Sequence, residues 1–172
     1  MRGRALAVLS SALVLGVTAP AWAQTAPGAP GATAHWTTGA KQGVGTSTTT
    51  GSKVWFSLAD GVLSEVYYPR VDVADSRALE LVVTDGRTFT DRESTDTTHA
   101  VELVTDTALV YKQVNTDKQR RYRITKTYVT DPRQASVLID VEFKSLDRGR
   151  YAVYAVHDPA IDNSGPCPES RS

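Results

Sequence analysis

The sequence predicts an all-β protein built from antiparallel strands, either a sandwich or a barrel. From residue 53 onward, short runs of β-branched and aromatic residues recur every 8 to 12 residues or so. Turn signals separate these runs, and no window beyond the N-terminal segment shows a sustained helical stripe. Closely spaced strands without intervening helices are typical of sandwiches and barrels.

Turn-forming residues separate the candidate strands. Asp60-Gly61 and Asp85-Gly86 are dipeptides that accept the positive φ of tight hairpins. The polar triplets 115–117 and 147–149, and the Asp131-Pro132 pair, predict further turns. The candidate strands are 53–58, 62–68, 78–84, 87–90, 99–104, 108–114, 121–129, 136–144 and 150–156.

Alternation within the runs predicts which faces are buried. In 136–144, apolar residues at 137, 139, 141 and 143 point one way and the charged residues at 140, 142 and 144 the other, and Tyr122, Ile124 and Tyr128 share one face of 121–129. By contrast, Tyr151 to Val156 are apolar at every position. This pattern predicts a central strand covered on both faces.

The first 23 residues have the three parts of a secretory signal. Arg2 and Arg4 precede an apolar stretch, and Ala21-Trp22-Ala23 is a small-x-small cleavage site. The apolar run is shorter than the roughly 18 to 20 residues that span a bilayer, which disfavours a membrane anchor. We therefore expect cleavage after Ala23 and a secreted or periplasmic protein with no membrane contact afterwards. Residues 24–35, rich in Pro, Gly and Ala, are predicted to be a flexible leader.

Composition and charge exclude several classes of protein. The 172 residues hold 19 Lys and Arg against 19 Asp and Glu, with 41% hydrophobic residues. An ordinary globular domain has such a composition, whereas a disordered tail does not. A nucleic-acid partner is not expected, because no excess of positive charge is available to neutralise phosphates. The single cysteine, Cys167, cannot form an intramolecular disulfide and is predicted to be an exposed free thiol.

Few residues indicate catalysis. The histidines at 35, 99 and 157 lack the spacing of a zinc site, and neither a Gly-x-Ser-x-Gly elbow nor a phosphate-binding loop is present. No metal, cofactor or catalytic residue is therefore predicted. Carboxylates expected at strand ends are Glu65, Asp72, Asp96, Asp131 and Asp158. A glycosidase needs two carboxyl groups opposed across a sugar ring, but solvated turn acids are the favoured interpretation.

Aromatic residues on neighbouring candidate strands allow sugar binding. Trp55, Tyr67 and Tyr68 lie on strands joined across Asp60-Gly61, and an exposed ring can stack on the apolar face of a sugar. These three residues are the candidate carbohydrate-binding residues. The alternative is packing between sheets, which is the commoner use of alternating aromatic residues.

Several segments of the chain are too specific for composition to explain. They are KQGVGTS (41–47), SKVWFSLADGVLSEVYYP (52–69), LVVTDG (81–86), YRITK (122–126), VTDP (129–132), and Tyr154 followed by Asp158-Pro159 and Asn163. Together these segments resemble the N-terminal β-sandwich domain of bacterial glucoamylases and glucodextranases. The likeness covers residues 36–165, whereas the tail 166–172 shows none.

The resemblance implies an antiparallel super-β-sandwich of the galactose-mutarotase-like type. In that family the sandwich precedes an (α/α) barrel, whose two glutamates hydrolyse α-glucosidic bonds with inversion. Those glutamates have no counterparts in this sequence. We also expect the sandwich to be incomplete, as after truncation or a frameshift, which would leave strand 150–156 without part of its cover.

Three hypotheses about function follow. The first is an exported, non-catalytic N-terminal portion of an α-glucan-hydrolysing enzyme, with the missing barrel or an α-glucan as its partner. The second is an independent carbohydrate-binding module. The third is a structural adhesion module.

Overall fold

A computed structural model describes residues 37–163 as ten strands and one short helix. Every strand pairing is antiparallel, which confirms the predicted fold class. In chain order the elements are β1 Gly43–Thr46, β2 Trp55–Ala59, β3 Val62–Tyr67, β4 Ala74–Thr84, β5 Thr90–Arg92, α1 Glu93–Asp96, β6 Thr97–Leu103, β7 Tyr111–Asp117, β8 Tyr122–Thr130, β9 Val137–Ser145 and β10 Ala152–Asn163.

The strands form two sheets. One has the order β1-β2-β3-β4-β10, with β5 also paired to β4, and the other has the order β6-β7-β8-β9. Most connections join neighbouring strands, so short turns suffice. The chain passes from the first sheet to the second through α1 and returns through the turn between β9 and β10. Within residues 37–163, no helix is long and apolar enough to cross a membrane.

The hairpin between β2 and β3 forms where the sequence predicts it. Asp60 and Gly61 have φ of 48° and 76°, the two left-handed positions of a two-residue loop. The turn after β8 and the turn after β9 also occur at Asp131-Pro132 and at residues 147–149.

Two local predictions, the strand at 87–90 and the turn at 115–117, were wrong. Residues 87–90 are mostly a loop, because the Asp85 carboxylate accepts backbone N–H bonds from Arg87, Thr88 and Phe89, so the strand starts only at Thr90. The polar triplet 115–117 ends β7 rather than forming a turn, since the interior provides partners for its buried side chains. The chain turns after it, where Arg120 has a φ of 61°.

Strand β1 lies in a glycine-rich segment that the sequence does not mark as a strand. A Cβ added to Gly45 would lie 2.3 Å from the ring of Phe56 on β2. The lack of a side chain therefore lets β1 pair closely with β2 over a core aromatic residue.

The core between the sheets consists of two apolar clusters. Phe56, Leu58, Leu63 and Tyr128 form one cluster. Val83, Tyr122 and Ile124 form the other. Each cluster draws on both sheets, as expected for a sandwich. The inward faces predicted for β8 are confirmed, since its three named aromatic and aliphatic residues are fully buried.

Strand β10 contradicts the prediction of a central strand. Among the described residues it pairs only with β4, and it forms one edge of its sheet. Val153, Tyr154 and Val156 are 38%, 58% and 43% exposed. A strand that is apolar at every position can be buried on both faces. It is buried only where other strands or layers pack against those faces.

Candidate functional site

Two of the three candidate sugar-binding residues lie side by side. Trp55 on β2 is the direct cross-strand partner of Tyr67 on β3, and it also pairs with Thr46 on β1. Phe56 points to the core, so the alternation of β2 directs Trp55 to the opposite face of the sheet. Trp55 is only partly buried. It is therefore an accessible aromatic residue on a rigid sheet.

Trp55 lines an open depression of about 380 Å³. Pro69, Lys53 and Ser52 contribute to its walls, and the remainder comes from the Ser/Thr loop, defined here as residues 46–50. The Thr46 hydroxyl anchors the start of this loop by donating to the Val54 carbonyl at 2.9 Å. The Thr49 hydroxyl anchors its tip by donating to the Pro132 carbonyl.

Ser52 also lines the depression and has an unusual environment. The residue is 5% exposed, and its hydroxyl has no hydrogen-bond partner among the described residues. A buried hydroxyl without a partner costs free energy, so such groups are rare in folded proteins.

Tyr67 is held by a polar network rather than by the depression. Its hydroxyl donates to Glu65. Burial is the larger cause that raises the pKa of Tyr67 to about 12, and the Glu65 carboxylate acts in the same direction. Lys41 Nζ donates to Glu65 Oε2 at 2.6 Å and to the hydroxyls of Thr37 and Ser64 at 2.7 Å. This network fixes residues 37–41 against the outer face of β3.

Tyr68, the third candidate, lies apart from Trp55. It follows the end of β3 and is 45% exposed, but it is not among the residues that line the Trp55 depression. The structure thus assembles Trp55 with Tyr67 and leaves Tyr68 outside the pair.

The five carboxylates predicted at strand ends have separate partners. Glu65 is buried and bonded to Lys41. Burial acts to raise the pKa of Glu65, but the hydrogen bonds from Lys41, Thr37 and Tyr67 outweigh it and hold the pKa below its ordinary value. The other four make local contacts: Asp72 with Arg70, Asp96 with the Arg92 backbone N–H, Asp131 with the Arg133 backbone N–H, and Asp158 with Arg77.

Sequence reasoning missed a buried charge network between the two apolar clusters. Lys126 Nζ donates to Glu93 Oε2 at 2.8 Å and to the Gly61 carbonyl at 3.0 Å. Asn115 Nδ2 donates to the same carbonyl and to Glu93 Oε1. Burial lowers the pKa of Lys126, and Glu93 opposes that shift. The period-two pattern of β8 could have revealed this lysine, because position 126 falls between Ile124 and Tyr128 on the inward face.

A second buried network lies near the other end of β8. Arg121 bonds Asp117 at 2.7 Å and also contacts Asp91. Burial raises the pKa of Asp91 despite that guanidinium, whereas Arg121 outweighs burial at Asp117 and lowers its pKa. All five buried carboxylates in residues 37–163 therefore have a Lys or Arg partner: Glu65, Glu80, Asp91, Glu93 and Asp117.

Neither described histidine joins a group of metal ligands. His99 Nδ1 contacts the Thr97 hydroxyl, and His157 Nε2 contacts the Ser76 hydroxyl. Within the described part of the chain, no cluster of three or more His, Cys, Asp or Glu could hold a metal ion. His35 and Cys167 lie outside the described residues.

The family of this chain follows from its similarity to known proteins. The model of the family described as glucodextranase, domain N, matches residues 26–171. The chain belongs to this family. The match extends on both sides of the span 36–165 that carries the sequence resemblance.

Two relatives are much longer than this chain. It is 46% identical over 138 residues to a glucoamylase from Clostridium sp. (strain G0005), which covers 79% of the chain and 20% of that glucoamylase. A crystal structure of a bacterial glucoamylase complexed with acarbose matches with a TM-score of 0.72 and 45% identity, covering 80% of this chain and 21% of that one. The chain thus spans about a fifth of the length of these relatives, and it is a domain related to α-glucan hydrolases.

Proposed function

We propose that this chain is the exported, non-catalytic N-terminal portion of an α-glucan-hydrolysing enzyme, and that it supports the catalytic barrel of that enzyme. The match to glucodextranase domain N and the likeness to one fifth of a glucoamylase support this proposal. Export rests on the signal-like residues 1–23, which lie outside the described residues.

The pairing of the buried carboxylates is the observation that carries the non-catalytic part of the proposal. An inverting glycosidase needs two carboxyl groups that face each other across a substrate cleft, one of them free to donate a proton. Glu65 and Glu93 are instead each bonded to a lysine and to further donors within the sandwich. Such carboxylates stabilise packing and are not available to a sugar.

A hydrolysis assay tests this part directly. The purified full chain, free of host amylases, is incubated with maltose and with dextran beside a heat-killed control. We expect no glucose above the control. Glucose release that persists through purification would overturn the non-catalytic assignment.

Sequencing tests the relation to a barrel. The DNA that follows the coding sequence is read in all three frames. A helix-rich barrel sequence there would identify the partner that this domain supports. Its absence would favour the second candidate, an independent carbohydrate-binding module, for which the accessible Trp55 depression is the specific support.

A further inference from the structure

We infer that the Trp55 depression and a second depression adjoining it form a binding site for a linear, uncharged α-glucan chain. The second depression measures about 270 Å³ and shares Thr46, Ser47 and Thr48 with the first. The choice of an α-glucan over other neutral glycans rests on the proposed function. The site itself rests on the geometry described below.

The first depression offers the contacts that a glucosyl unit requires. A pyranose ring presents an apolar C–H face and a rim of hydroxyl groups. The indole of Trp55, with Pro69 beside it, provides an apolar surface for the C–H face. Hydroxyls of the Ser/Thr loop can both donate to and accept from the sugar rim. The volume of about 380 Å³ falls within the range of about 300–1,000 Å³ typical of small-molecule sites.

The buried hydroxyl of Ser52 provides an independent indication of a ligand. It lines the first depression and lacks a partner among the described residues. A polar ligand that entered the depression and reoriented this hydroxyl would satisfy it. The free-energy cost of the unpaired group would then be recovered on binding.

The second depression repeats this combination of apolar and polar groups. Leu103 and Leu109 are exposed apolar residues at its wall, and Asp106 and Thr107 supply polar atoms. Because the two depressions meet at Thr46 to Thr48, successive units of one chain can occupy both. A linear oligosaccharide fits this arrangement better than a single sugar.

The charges around the two depressions favour a neutral ligand. Lys53 lines the first and Asp106 lines the second, so the site has one positive and one negative group. A phosphorylated or carboxylated ligand would be attracted by Lys53 at one end and repelled by Asp106 at the other. The hydroxyl-rich wall between them suits a neutral sugar.

Calorimetric titration of the full chain with maltoheptaose tests the inference. Trp55→Ala is expected to weaken binding about tenfold, because the stacking surface is lost. Thr48→Leu removes a hydroxyl shared by both depressions and is expected to weaken binding about threefold. Thr48 is exposed, so this variant tests the site even where Trp55→Ala fails to fold, as judged by circular dichroism. Tyr154→Ala, an exposed aromatic residue on β10, is the matched control and should bind like the unaltered chain.

Several outcomes would overturn the inference. The first is the absence of maltoheptaose binding at millimolar concentration. The second is that every site variant that folds binds maltoheptaose as tightly as the unaltered chain does. The third is that the chain binds cellohexaose as tightly as maltoheptaose. Glucose is measured in the same samples. Its release would contradict the non-catalytic proposal and leave the binding site standing, so the two failures are distinguishable.

Discussion

Strands β8 and β10 show how differently two apolar strands fare in this sandwich. Tyr122, Ile124 and Tyr128 of β8 are fully buried, because β8 lies inside its sheet and faces the other sheet. Tyr154 and Val156 of β10 are as apolar but remain exposed at a sheet edge. Whether an apolar strand is buried therefore depends on its neighbours and not on its own sequence. The same substitution is expected to have different effects in the two regions.

The largest effect is expected at the buried lysine of β8. Lys126→Met leaves Glu93 buried without its cation, and removing one partner of a buried ion pair costs about 3–5 kcal/mol. Urea unfolding monitored by circular dichroism measures the loss. Lys144→Met on β9 is the control, because that side chain is exposed. A loss below about 1 kcal/mol would show that the network contributes little.

A matched pair of aliphatic truncations tests the comparison itself. Leu58→Ala in the first core cluster is expected to lower the free energy of unfolding by about 2–5 kcal/mol. Val153→Ala on β10 is expected to change it by less than about 0.5 kcal/mol, since the side chain is already exposed to water. Similar losses at both positions would mean that β10 is covered in solution.

A smaller effect is expected from acid. The folded-state pKa of Glu65 lies below its ordinary value of 4.5, so the unfolded chain binds the proton more readily. The stability that Glu65 contributes is therefore complete above about pH 4.5 and is lost as the pH falls through the folded-state pKa. Glu65→Gln should flatten the dependence of unfolding free energy on pH in this window. Glu142→Gln, an exposed control on β9, should leave the curve unchanged; an unaltered curve in Glu65→Gln would contradict the assignment.

The smallest effect on stability, with a clear effect on association, is expected at the β10 edge. We expect purified residues 24–172 to bind a hydrophobic dye and to elute as oligomers, because the apolar surface and strand edge of β10 are exposed. Tyr154→Lys combined with Val156→Lys should reduce both signals and change the unfolding free energy by under about 0.5 kcal/mol. Thr98→Lys with Ala100→Lys adds the same charge on β6 and should not reduce them. A monomer that melts sharply without binding dye would contradict this prediction.

Part of the candidate site was visible in the sequence. The Asp60-Gly61 turn and the flanking apolar runs predicted a hairpin, and that hairpin places Trp55 opposite Tyr67. The role of the Ser/Thr loop was not visible, because a run of small polar residues reads as a linker. Thr46 and Thr49 bond the loop to Val54, just before β2, and to the turn after β8, and this places the loop beside both depressions.

The class of fold, the positions of most strands and the inward face of β8 could be predicted from the sequence. Those properties follow from local periodicity and turn chemistry, which are written into consecutive residues. Only the packing of distant strands makes β10 an edge strand among residues 37–163, brings Glu93 to Lys126 and brings Glu65 to Lys41. These contacts join residues 24 to 33 positions apart. No local pattern encodes such pairs, because their partners are chosen by which strands become neighbours.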